Sequence, residues 1–114
     1  MTENSKMYIL VKGSIPLGFA LVSAAHASLQ CYLEFEGHSE MGDWVEKSFR
    51  KVVCVVTDEQ FERAKATEDH VVVTESDLEG QEVALAFLPR ESWPEEFRRL
   101  PLYRSLGPLL SKSA

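Results

Sequence analysis

Four short β-type runs, separated by stretches that read as helix or turn, leave this chain few architectures. Lys6 to Lys12 (KMYILVK), Arg50 to Val56 (RKVVCVV), His70 to Thr74 (HVVVT) and Glu82 to Leu88 (EVALAFL) are each brief and bounded. All four are rich in β-branched, aromatic or other apolar residues, as strands are. The second is an unbroken β-branched run, which predicts a strand buried on both faces. From Leu17 to about Phe35 the chain holds four alanines, no proline and only one glycine, at the start, which predicts about five turns of helix. A second helix is expected over Glu40 to Phe49, with Met41, Trp44, Val45 and Phe49 as its apolar side. Thr57 and Gln60 form a capping-box pair that opens a third helix, to about Ala66. Ser92 with Glu95, and Pro94 in the first turn, predict a fourth.

The order β-α-α-β-α-β-β-α predicts a layered α/β sandwich. The first two strand-to-strand connections are long enough for crossovers. The third, Ser76 to Gly80, is short and demands an antiparallel hairpin, so the sheet should be mixed. With 114 residues the chain is expected to be a single domain over 1–114, with its core at about 6–106. The final SLGPLLSKSA is expected to fray, although Leu106, Leu109 and Leu110 are suited to docking. One further turn is expected over Leu102 to Leu106.

The long first helix carries the candidate site. On a helical wheel Leu17, Leu21, Ala24, Ala25, Ser28, Tyr32 and Phe35 gather on one side, which is expected to face the sheet. Phe19, Ser23, His26, Gln30 and Glu34 gather opposite, as a solvent edge or the wall of a site. His26 has the titration range for proton transfer, and Ser23 lies within one turn of it. A histidine at a helix edge bonded to a neighbour, and a phenylalanine that simply packs, are the plainer alternatives for His26 and Phe19. Trp44 is expected to anchor the second helix. Trp93, Phe97 and Tyr103 are candidates for a subunit interface.

Gly18, His26 and Ala27, following the strand Lys6 to Val11, resemble the first helix of the archaeal and eukaryotic-type peptidyl-tRNA hydrolases, whose pattern is like G-K-x-A-A-Q-x-x-H-A. Lys51 to Val56 and Val83 to Ala86, with Pro89 after them, are similar to that family's middle and last strands, so the resemblance spans about residues 6 to 89. It implies a three-layer α/β sandwich on a four-stranded mixed sheet, the type II peptidyl-tRNA hydrolase fold, and a homodimer. On a hydrolase reading an open pocket is expected beside His26, where Ser23, Gln30 and a group from the Glu75 to Gly80 loop converge, with His26, Ser23 and Glu75 as catalytic candidates and Gly18, Phe19 and Gln30 as binding candidates. The family's lysine falls on Phe19 and its glutamine on Ser23. Its loop before the last strand is about four residues shorter here, with Glu75 nearest its aspartate. The expectation is a divergent member that lacks the family's catalytic apparatus and serves as a binding or interaction protein. The alternative is an active hydrolase of peptidyl-tRNA, or of another small ester or amide, that uses His26.

Charge bears on the partner. The formal net charge is -6, and Glu34, Glu36, Glu40, Asp43 and Glu46 make an acidic stretch. tRNA is implied by the resemblance and opposed by that charge and by the missing lysine. There is no glycine-rich phosphate loop, no dinucleotide fingerprint and no metal-ligand spacing among the three histidines, so no cofactor and no metal are expected. Cys31 and Cys54 fall in apolar runs without a CxxC partner, which predicts two reduced, buried thiols. With no apolar run near the roughly 20 residues of a membrane span and no signal-peptide pattern, a cytoplasmic location and no membrane partner are expected.

Overall fold

The computed structural model of the protein describes residues 2–103. Four strands, β1 (Lys6–Lys12), β2 (Arg50–Val56), β3 (His70–Glu75) and β4 (Gln81–Phe87), form one sheet in the order β2-β1-β4-β3. β1 and β2 are parallel, in a register that sets Leu10 against Cys54. β4 is antiparallel to both β1 and β3, and a bulge between Val73 and Thr74 shifts the hairpin register. The four helices are α1 (Leu17–Phe35), α2 (Ser39–Lys47), α3 (Asp58–Ala64) and α4 (Glu95–Arg98). Among the described residues no helix is long and apolar enough to cross a membrane.

The pleat of β1 divides the core in two. Met7, Ile9 and Val11 face a cluster that includes Ala20, Ala27, Cys31 and Phe35 of α1 and Met41 and Trp44 of α2. Tyr8 and Leu10 face the other side, with Phe61 and Ala64 of α3 and with Trp93 and Phe97. Residues i and i+2 of a strand share a face, so helices cover both sides of the sheet. The second cluster is a knot of aromatic rings. Tyr8 lies 4.6 Å from Trp93, and Phe87 meets Phe97 edge-on at 5.0 Å and 88°. Trp93 and Phe97 are therefore core residues rather than interface residues. Tyr103 belongs to the opposite cluster.

Three further expectations change. β2 is an edge strand in which only Cys54 and Val56 are buried. Its outer edge is covered by the chain after α4: Val55 N–H donates to Pro101 O, Tyr103 N–H donates to Val53 O, and Leu102 bridges Cys54. A β-branched run does not report whether a strand has neighbours on both sides, which is a property of the sheet. Leu102 therefore pairs with a strand and opens no helical turn. The rest of the expected turn, and the docking of Leu106, Leu109 and Leu110, lie outside the described residues. At α4 the cap is Pro94, without a side-chain hydrogen bond, so the Ser92–Glu95 box is not made. The Thr57–Gln60 box is made in both directions, at 3.0 and 2.9 Å.

Candidate functional site

α1 packs on β1, β4 and β3. Its buried residues are Ala20, Ser23, Ala27, Cys31 and Phe35, at steps of three, four, four and four. The sheet-facing side is thus a different side from the one the leucines suggest. Small side chains let the helix backbone come close to a flat sheet, whereas leucines would hold it off. Leu17, Leu21, Leu29, Tyr32 and Leu33 point to solvent instead.

The candidate residues separate along this helix. Gly18 is exposed in its first turn, and a Cβ there would meet nothing within 4 Å. Phe19 is half-buried against the α1-side core. Ser23 is sealed under the helix at 0% exposure, and its Oγ has no hydrogen-bond partner among the described residues. His26 is exposed. Gln30 Nε2 donates to Val72 O at 3.3 Å, which caps part of the outer edge of β3. Glu75 is buried, at alternate positions with Val71 and Val73, and its Oε2 accepts from Asp77 N–H at 3.2 Å. That bond caps the short 3-10 turn Ser76–Leu78, and Gly80 N–H closes the same turn on Glu75 O. Glu75 thus acts as a turn carboxylate. Ser23 lies in the layer between α1 and the sheet, His26 is exposed, and no Ser23–His26 hydrogen bond is formed.

No metal-type cluster of three or more His, Cys, Asp or Glu side chains occurs among the described residues. The thiols are poor nucleophiles. Burial, reinforced by the Glu34 carboxylate, pushes Cys31 up to about 12, and burial pushes Cys54 up to about 11. Both thiols stay protonated in the fold while an unfolded chain would release their protons near pH 9, the ordinary value. The folded form then binds more protons, so stability should hold below about pH 9 and fall from there towards pH 12, by about 1.4 kcal/mol per pH unit for each thiol still protonated. Urea titrations at stepped alkaline pH check this, and a Cys31→Ala, Cys54→Ala chain should show a flatter decline.

Among the described residues clefts stand elsewhere, and three of them are lined by none of His26, Ser23 and Glu75. One of about 420 Å³ lies between α3 and α4, where Arg63 pairs with Glu96 and Arg99 with Glu95. An apolar one of about 210 Å³ lies between α1 and β2, lined by Val11, Ala20, Leu21, Ala24, Val53 and Tyr103. The third, about 710 Å³, opens at the carboxyl ends of β1 and β2, at Gly13, Ser14 and Thr57 to Gln60. The connections after these two strands lead to helices on opposite faces, which is where open α/β sheets commonly hold ligands. The signal for it in the sequence is a Gly-Ser and a Thr-Asp pair directly after two strands. Its polar groups are already engaged, however: Ser14 Oγ donates to Asp58 Oδ1, and Thr57 and Gln60 bond each other.

Several basic side chains are similarly occupied. Arg63 and Arg99 are paired with carboxylates, Arg90 stacks on Trp93 at 4.6 Å, and Lys51 lies 3.4 Å above Phe49. No protein-family model matches the chain, and no curated protein matches it in sequence. The molecule is defined at the level of its class: an α/β domain with a four-stranded mixed sheet between helices.

Proposed function

We propose that this protein is a divergent peptidyl-tRNA hydrolase-like domain without the family's catalytic apparatus, and that it works by binding, through the outer face of α1. The observation that carries this is the split along α1. Ser23 is sealed against the sheet, with its oxygen unpaired, while His26 stands in solvent. Acyl transfer requires nucleophile, base and oxyanion donors to converge on one reacting atom. Phe19 brings no charge where the resemblance has a lysine. Meanwhile α1 presents leucines to water, and exposed apolar patches of this kind mark interaction surfaces.

The test is release of the aminoacyl ester from N-blocked charged tRNA. The expected rate equals the uncatalysed rate, beside a peptidyl-tRNA hydrolase that clears the same substrate. Release that disappears in a His26→Ala chain would establish the hydrolase reading instead, which has in its favour the accessibility of His26.

A further inference from the structure

We propose that the apolar groove between α1 and β2 is the seat of the chain's own C-terminal segment, which fills it with leucines from the stretch Ser105 to Ser111. The groove exists because α1 lies over β1, β4 and β3, which leaves β2 at the margin of the sheet. Val53 faces the α1 side, as does Val55 by the alternation of a strand, and both are only half-buried. Val11, Ala20, Leu21, Ala24, Val53 and Tyr103 line about 210 Å³, with no charged side chain among them. Leu21 stands at the rim, 65% exposed.

The path of the chain identifies the occupant. After α4 it runs antiparallel to β2: Val55 N–H donates to Pro101 O, Leu102 bridges Cys54, and Tyr103 N–H donates to Val53 O. Tyr103 is the last described residue, and it is itself a wall of the groove. Residues 104–114 follow it, outside the described part. From Ser105 to Ser111 they carry no charge, and they include Leu106, Leu109 and Leu110. Leu109 is six positions beyond Tyr103, a reach of up to about 20 Å, well beyond the width of such a cleft. Gly107-Pro108 is a turn-forming pair that allows the path to double back. An apolar segment thus starts at the lip of an apolar groove.

Tethering favours this segment over a separate partner. A short segment joined at the rim of its site meets it at an effective concentration on the order of millimolar. A free apolar peptide or a second copy at micromolar concentration competes poorly with that. The inference does not depend on the binding role proposed for α1, because Leu29 and Leu33 do not line the groove. Leu21 is common to both, so the docked segment shields that end of the outer face.

The experiment uses the full chain with Ala24→Cys, which sets a thiol in the wall of the groove while Cys31 and Cys54 stay buried. Its reaction with a maleimide should be about tenfold or more slower than in the same chain carrying Leu106→Asp, Leu109→Asp and Leu110→Asp, since protection follows the ratio of closed to open forms. The circular dichroism of the two chains should be alike. Ala24→Cys is then combined with Leu109→Cys or with Leu110→Cys. Under mild oxidation of dilute protein, at least one pair should close a disulfide within a single chain. Equal maleimide rates in the two chains mean an open groove and overturn the inference. Slow reaction in both means a different cover, and overturns it as well. Protection that is lost when the protein is diluted assigns the groove to a second copy, with the same consequence. If the aspartate chain fails to fold, the disulfide pairs decide alone: a link within one chain supports docking, and no link in either pair overturns it.

Discussion

Truncating Trp44 to alanine should cost about 3–5 kcal/mol, a large part of the roughly 5–15 kcal/mol that holds a domain of this kind together. The ring is 2% exposed, beneath α2 in the cluster that joins α2 to α1 and the sheet. Its Nε1–H donates to Arg50 O at 2.8 Å, so the first residue of β2 is tied to the helix that precedes it. The turn between them is built around the same residue. Ser48 and Phe49 N–H groups both donate to Trp44 O, and Phe49 adopts a left-handed φ of 63° that lays its ring 5.0 Å from the indole. Alanine removes the ring, leaves a cavity, and strips the Arg50 carbonyl of its donor. Chemical denaturation followed by circular dichroism measures the loss. Trp44→Phe separates the two contributions: it keeps most of the packing and loses the N–H, so about 1–2 kcal/mol should go. A loss below about 1 kcal/mol for alanine would mean that α2 is not anchored through this ring.

Trp44 belongs to the part of the fold that could be read before the structure was known, and the reason is that its signals are local. The limits of the strands follow from β-branched runs stopped by turn residues, and Thr57 with Gln60 specifies a helix start through two bonds three residues apart. The hairpin from β3 to β4 was forced by the shortness of its connection. What failed depended on partners distant in sequence. RKVVCVV carries the same pattern whether β2 is central or at an edge, and only residues 101–103 show what covers its outer side.

The orientation of α1 failed for a more instructive reason. Both of its long faces are apolar, so hydrophobicity alone cannot tell them apart. The larger side chains were assigned to the core, but the sheet takes the smaller ones, Ala20, Ser23 and Ala27, and leaves the leucines outside. The candidate site was disassembled by the same error. Ser23 and His26 stay about 60° apart on the wheel however the helix is turned, but the edge of the buried side runs between them.

Ser23 accordingly gives the second large effect. Glutamine, the residue the family resemblance would place at this position, should cost about 2–6 kcal/mol: roughly 1–3 for forcing extra atoms into a filled layer, and a similar amount for burying an amide without partners. Alanine should have the opposite sign. It removes a hydroxyl that is fully buried and unpaired among the described residues, and should raise stability by about 1 kcal/mol. Melting curves or urea midpoints on the two variants read both signs, and the pair is informative because one position is being asked two questions. If glutamine is tolerated at no cost, α1 can roll to bring position 23 to the surface, and the division between a sealed Ser23 and an exposed His26 does not hold. If glutamine is costly and alanine beneficial, position 23 is a packing site. Restoring the family's side chain there would then damage the fold before it could contribute to any chemistry.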